Sequence, residues 1–452
     1  MSKSIISIPR LDCSVHGPYD CLFKGAWVVN HDGVFNADIG VYEGRIAAIG
    51  DLDNHEAVEV INCHGLHILP GVIDSQVHFR EPGGEYKEDM ESGARSAVLG
   101  GVTSVFEMPN TAPLTVDAES LADKVRRARH RMHCDFAFWV GGTRENAVHV
   151  AELERLPGAA GIKVFMGSST GDLLLDDDVS ILKLLQNSRR RVAFHSEDEA
   201  RLKARLPLQV VNDVCSHPIW RDEKVALQAT QRLVHLARQA GALIHVLHIS
   251  TAEEIVFLKE HKDIATLEAT QHHLTLSADY YQCLGTLAQM NPPVRESRHR
   301  DGLWYGIQQG IVDVLGSDHA PHRLEEKAKP YPASPSGMTG VQTTVPIMLD
   351  HVNAGRLSLL RFVDLTSHGP QRVFGIKGKG RLAVGYDADL TIVDLKHEAV
   401  LENSQMATKV GWTPYNGKRV KGWPVGTIIR GKRVMWEGEL ITPSIGEPIA
   451  FY

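Results

Sequence analysis

Between about residue 68 and residue 375 the chain repeats one theme eight times: a short apolar, β-branched run, then a stretch with apolar residues every three or four positions. The runs begin at Leu69, Val102, Asp135, Gly161, Arg191, Ala242, Ile264 and Gly310. Intervening stretches such as Lys87 to Leu99 and Asp222 to Gln239 read as amphipathic helices. Eight strand–helix units in roughly 300 residues predict a (β/α)8 TIM-like barrel. A doubly wound open sheet is the alternative, but its usual Gly-rich phosphate turn after the first strand is missing.

The two ends of the chain have a different texture. From Asp20 onward, short strands alternate with Asp32-Gly33 and Glu43-Gly44 turn signals, and Val58 to Cys63 adds another strand. Gly380 to Leu395 and a hairpin around Gly431-Lys432 repeat that pattern. These features predict a small β-sandwich domain formed by both termini. Residues 1–67 are its N-terminal part, 68–375 the barrel and 376–452 its C-terminal part. Residues 1 to about 20 read as irregular.

Composition removes several function classes. A net charge of -7 supplies no basic stripe for nucleic acid and no cationic helix for a membrane surface. The six cysteines are scattered with no C-x-x-C pair, so neither a disulfide framework nor a zinc ribbon is indicated, and a reducing cytoplasm fits. The start has no apolar run behind a basic region, and nothing approaches a membrane span. A cytoplasmic protein with a small-molecule substrate is the expectation.

In a barrel of this kind the functional groups sit at the C-terminal ends of the strands. The first strand, read as Leu69 to Phe79, ends in Gln76, His78 and Arg80, spaced two apart so that all three share a face. A neutral imidazole ligates zinc, and a guanidinium is a two-pronged clamp for a carboxylate. Other strands end in Asn110, His195, His248 and Asp318-His-Ala-Pro-His322, and the turn after the seventh holds Asn291. Buried imidazoles and carboxylates are costly unless paired or liganded, so such a set points to a metal site. Nitrogen and oxygen donors without thiolate fit Zn2+, with Mn2+, Co2+ or Fe2+ also compatible. Lys163 lies on the fourth strand, where an ammonium beside a cation is unfavourable. It is either a neutral amine able to add CO2 and form a carbamate, or a lysine that snorkels to the rim. His272-His273 read as shaping their loop, and His319 falls on the face opposite Asp318. His31, His64, His217 and His235 read as surface or core residues. Arg323 to Tyr331 reads as an exposed loop over the barrel mouth, a lid or a plain connector.

The motifs Gly71-Val-Ile-Asp-Ser-Gln-Val-His-Phe-Arg-Glu-Pro-Gly83, Glu107-Met-Pro-Asn-Thr111, Ile162-Lys-Val-Phe-Met166, Phe194-His-Ser-Glu-Asp198, Asn291-Pro-Pro-Val-Arg295 and Gly316-Ser-Asp-His-Ala-Pro-His322 resemble, in order and across nearly the whole barrel, those of the amidohydrolase superfamily and within it the dihydroorotases. The resemblance implies a binuclear metal centre, with Zn2+ first and Mn2+ or Co2+ as alternatives. His78 and a carbamate on Lys163 would hold one metal; the carbamate, His195 and His248 the other. Asp318 would serve as ligand and as general base and acid. Arg80, Asn110, Asn291 and His322 would grip the substrate, with the backbone around Met338 to Val341 on the pyrimidine edge. The implied reaction is reversible hydrolysis of dihydroorotate to N-carbamoyl-L-aspartate by metal-activated water, in pyrimidine biosynthesis. Homo-oligomerisation is common in the superfamily, though no stretch here marks an interface. One departure stands out. The family's first strand usually ends in His-x-His-x-Arg, and here Gln76 replaces the first histidine with a weaker donor. Two other readings follow. A hydantoinase- or allantoinase-like cyclic amidase is one, disfavoured by Arg80, since those rings lack the carboxylate. A non-catalytic homologue that holds a partner enzyme such as aspartate carbamoyltransferase is the other.

Overall fold

A computed structural model describes residues 18–169 and 173–452. The expectation of irregular structure near the start falls mostly outside the described residues; Tyr19 already begins a strand. Five strands open the described chain: β1 (Tyr19–Asn30), β2 (Gly33–Tyr42), β3 (Arg45–Gly50), β4 (Ala57–Asn62) and β5 (His67–Pro70). β1, β2 and β3 form an antiparallel meander. Its second reversal uses Glu43 and Gly44 at φ of 49° and 74°, the left-handed pair that a tight hairpin requires. β4 and β5 both join β1 in parallel.

Near the other end come β14 (Leu390–Val400), β15 (Arg419–Ile429), β16 (Lys432–Trp436) and β17 (Glu439–Leu440). β14 runs antiparallel to β5, with Leu390 opposite Pro70, so both ends of the chain share one nine-stranded sheet. Phe23, Ile39 and Ile61 bury in one cluster with Leu390, Ile392 and Ile428, and the continuous sheet thereby wraps its own core.

The middle holds β6 (Val72–Val77), β7 (Val102–Glu107), β8 (Asp135–Gly141), β9 (Ala159–Phe165), β10 (Val192–His195), β11 (Ile244–Val246), β12 (Ala265–Thr270) and β13 (Val314–Gly316). They are parallel and lie side by side in sequence order. A parallel bridge between Val77 and His319 brings the last strand back to the first, and Ser317 N donates to Asp74 Oδ1 at 2.9 Å across the seam. This is the eight-stranded barrel. Helices cover it, as in Glu223–Ala240, which starts on an Asp222 cap and ends at left-handed Gly241.

One boundary differs from expectation. The run from Leu69 to Phe79 is not one strand: His67–Pro70 belongs to the satellite sheet and Val72–Val77 to the barrel. Pro70 has no N–H to continue a ladder, and a Cβ at Gly71 would collide with Thr103. The chain therefore changes sheets at Gly71.

Inward-facing Phe106 and Trp139 meet edge to face, centroids 6.0 Å apart, and Phe374 closes on both. Phe374 and Ile449, from beyond the last barrel strand, join this inner cluster. An aromatic cluster thus fills the lower barrel, with buried His245 packed edge-on against Phe374 at 5.0 Å. Among the described residues no helix is long and apolar enough to cross a membrane.

Candidate active site

The upper strand ends deliver the polar residues to one place. Gln76, His78, Arg80, Asn110, Lys163, His195, His248, Asn291 and Asp318 line one partly open cavity. Arg80, His248 and Asp318 all take positive φ, at 63°, 34° and 48°. Non-glycine residues rarely adopt this region, and three of them gather around this one cavity.

Asp318 is the hub of one half. Gln76 Nε2 donates to its Oδ1 at 3.1 Å, and His78 Nε2 lies 3.2 Å from the same oxygen. His78 Nδ1 stands 2.9 Å from Asn110 Oδ1, which only accepts, so Nδ1 carries the ring proton. Its Nε2 lone pair then faces a carboxylate, an arrangement that a cation between them would reconcile. Gln76 Oε1 is buried without a partner.

The other half is built on Glu197. Burial opposes ionisation of its carboxyl, but Arg221 and His195 outweigh that and hold it well below the usual carboxylate range. Ionised Glu197 accepts from His195 Nε2 at 2.8 Å and pairs with Arg221. The His195 proton is thereby fixed on Nε2, and its Nδ1 lone pair meets His248 Nε2 at 3.0 Å. His248 Nδ1 is buried without a partner. Burial lowers the pKa of His78 and His195, and that of His248 furthest, so all three are neutral at pH 7, the form that ligates metal.

Lys163 completes the ring. It is 1% exposed, and its Nζ has no hydrogen-bond partner; it stands over the Phe165 ring, 4.5 Å from the centroid. Burial pushes its ammonium down to about 7. Beneath it, Glu268 takes a hydrogen bond from Ser75 Oγ at 2.7 Å, and burial raises its carboxyl to about 8.

His322 is placed differently from the other expected site residues. It is not among the cavity-lining residues, but stands behind Arg80, its Nε2 3.3 Å from the guanidinium. The 338–341 backbone is held by His319, whose Nδ1 accepts from Gly340 N at 3.0 Å, while Ser336 and Gly337 reach the cavity wall. His273 Nε2 lies 3.1 Å from Pro292 O and His272 Nδ1 2.9 Å from Tyr415 OH, both outside the cavity lining. His217, read from sequence as a surface or core residue, lies 3.0 Å from Asn291 Oδ1 and orients it. The stretch from Arg323 to Tyr331 is not a free loop. It contains a short helix, Leu324–Lys327, and buried Lys327 donates to Gln289 O, Pro335 O and Gly337 O at 3.0, 2.9 and 3.0 Å. Tyr331 is buried too, with Trp220 Nε1 donating to its hydroxyl at 2.6 Å. Sequence reasoning also passed over Glu197 and Arg221. Glu197 had a signal, since it follows His195 by two residues; Arg221 had none.

Comparison with known proteins agrees with this architecture. Residues 67–434 match the amidohydrolase family. A dihydroorotase of Halobacterium salinarum is 35% identical over 419 residues, spanning 91% of this chain and 96% of that protein. An allantoinase of Solibacter usitatus is 34% identical over 442 residues, spanning 95% and 96%. The structure of an L-hydantoinase (dihydropyrimidinase) from Arthrobacter aurescens superposes with a TM-score of 0.92 at 30% identity, over 95% of this chain and 99% of that one. The chain belongs to the amidohydrolase family. These relatives make it, more narrowly, a cyclic amidohydrolase.

Proposed function

We propose that the protein is a metal-dependent dihydroorotase, hydrolysing dihydroorotate reversibly to N-carbamoyl-L-aspartate. The observation that carries the substrate is Arg80. Its guanidinium is buried at the cavity wall, and among the described residues its close polar contacts are only neutral groups, Pro321 O and His322. Burial lowers its pKa to about 10, so it stays charged at pH 7. A buried cation without a carboxylate partner is the complement of a substrate carboxylate. Dihydroorotate has one; hydantoin and allantoin rings do not.

The donor set fits a metal centre. Gln76 Oε1, Lys163 Nζ and His248 Nδ1 are buried and unpaired, and the His78 Nε2 lone pair faces the Asp318 carboxylate. His195 through Nδ1, His248 and Lys163 would hold one cation; His78, Asp318 and Lys163 a second, with Gln76 as a weak donor. A neutral Lys163 amine that has added CO2 offers two anionic oxygens in place of one nitrogen. Divalent cations, Zn2+ or alternatively Mn2+ or Co2+, supply carbonyl polarisation and a more acidic water when bound. Asp318 takes the proton of the attacking water and returns it to the leaving ring nitrogen. Gln76 Nε2 holds that carboxylate in place. Arg80 fixes the substrate carboxylate, and Asn110 and Asn291 meet the polar edges of the ring. A partner-holding scaffold has no use for such unsatisfied donors.

The test is dihydroorotate turnover by zinc-reconstituted protein in bicarbonate buffer, beside Asp318→Ala. Turnover that drops by about 10³-fold or more in the variant is expected. Hydrolysis of hydantoin or allantoin with none of dihydroorotate would replace this reading with the neutral-ring one, which the allantoinase and L-hydantoinase relatives favour.

Gln76 gives a second expectation. Its amide N–H already serves Asp318, and a neutral amide oxygen is a poorer donor than imidazole. Gln76→His should slow zinc loss during dialysis against a chelator by on the order of tenfold. Unchanged zinc retention would show that position 76 does not meet the metal.

A further inference from the structure

We propose that Lys87 is a positioning residue that fixes the ring proton of His322 on Nε2, and so keeps the terminal N–H groups of Arg80 free for the carboxylate of a ring substrate. The inference rests on the reading of the site given above and assigns a role to a residue outside it. Lys87 lies between β6 and the helix Met90–Leu99. Its Nζ sits 3.0 Å from His322 Nδ1 and 3.0 Å from Glu326 Oε1. An ammonium has three donors and no lone pair, so Nδ1 of His322 must accept. A neutral imidazole has a single ring proton, which then resides on Nε2. Burial and the neighbouring Arg80, Lys87 and Lys327 charges keep His322 neutral by lowering its pKa well below the usual value.

Two further distances give this assignment its consequence. His322 Nε2 donates to Ser336 O at 3.0 Å. Arg80 also approaches that Nε2, at 3.3 Å, but a guanidinium only donates. Donor therefore faces donor, and the contact is not a hydrogen bond. Among the described residues the one acceptor for the Arg80 side chain is Pro321 O, reached by Nε at 3.3 Å. The terminal N–H groups of Arg80 are left for the cavity, while the imidazole N–H is spent on Ser336 O. In the opposite tautomer Nε2 would accept from Arg80, and the pair would satisfy itself instead of an anion. Lys87 excludes that state without touching the substrate.

The test is a double-mutant cycle on the zinc-loaded enzyme with Lys87→Met, His322→Gln and the double variant, plus Lys87→Arg as the donor-retaining control. Lys87→Met should raise KM for dihydroorotate by about tenfold, kcat should change by less than about threefold, and the constants for hydantoin should not move. In the His322→Gln background the same substitution should add less than about twofold. Lys87→Arg should stay within about threefold of the unaltered enzyme. Equal losses in both backgrounds would overturn the inference, because Lys87 would then act as a bare charge. So would an equal KM rise on hydantoin, the mark of a merely structural role. If the unaltered protein does not turn over dihydroorotate, the reading of the site fails first. Calorimetric titration of the same variants with orotate, a ring carboxylate, then decides the role of Lys87. Loss of orotate affinity in Lys87→Met that persists undiminished beside His322→Gln would overturn it, and loss confined to the His322 background would support it.

Discussion

Lys163→Met is expected to abolish hydrolysis while making the metal-free protein slightly more stable. The amine is fully buried and makes no hydrogen bond, so the folded state carries a desolvated donor with nothing in return. An unsatisfied buried donor costs about 1–3 kcal/mol, and methionine fills nearly the same volume without it. A gain on the order of 1 kcal/mol should raise the melting temperature by about 2 °C. Function moves the other way. Methionine cannot add CO2, so the anionic donor shared by both metal positions disappears. Zinc retained after dialysis should fall to near nothing, and turnover by more than about 10³-fold. Thermal melts in chelator, zinc content and the dihydroorotate assay in bicarbonate give the three readings. A variant that keeps its zinc and loses less than tenfold in rate would mean that the lysine is only a core filler. Rescue of stability by removing a functional residue is the signature of a site held against the preferences of the core.

That opposition also explains which features could be read from sequence. The barrel strands announce themselves because each is buried on both faces, as the unbroken burial of Val102–Glu107 and Asp135–Gly141 shows, and such strands must be apolar and β-branched. Polar residues that interrupt this grammar, His78, Lys163, His195 and Asp318, then stand out as exceptions that need a reason. Glu197 obeyed the same rule, two residues beyond His195, and was legible on that ground. Other features depend on partners far along the chain. The change of sheets at Gly71 is decided by β14, whose Leu390 pairs with Pro70 from more than 300 positions away, inside a run that looks continuous locally. Lys327 lies in a segment rich in charge, which ordinarily marks a solvated surface. Its burial follows only from three backbone carbonyls on two other segments, and carbonyls have no sequence signature. Arg221 and Lys87 are hidden for the same reason: each is a lone cation in a connector, and each gains its role from a histidine or carboxylate that the fold brings to it.

Arg80→Met is expected to separate substrates by charge. Arg80 forms no ion pair among the described residues, so its removal breaks no existing bridge and leaves no carboxylate stranded. The fold should tolerate the change, and the loss should appear only when an anionic ligand arrives. A substrate carboxylate would then be buried without its partner, a penalty of about 2–5 kcal/mol, or roughly 30- to several-thousand-fold in kcat/KM. Most of it should fall on KM, because the carboxylate is held equally in ground and transition states. Hydantoin, with no carboxylate, should be hydrolysed at least as well by the variant as by the unaltered protein. Arg80→Lys should recover little, since a point charge does not reproduce two parallel N–H donors. Steady-state kinetics on dihydroorotate and hydantoin with the three proteins measures the split. Equal losses on both rings would make Arg80 a structural support for the first strand and remove the argument for an anionic substrate. A selective loss on dihydroorotate alone would tie the family-level chemistry of the barrel to one substrate through a single buried cation.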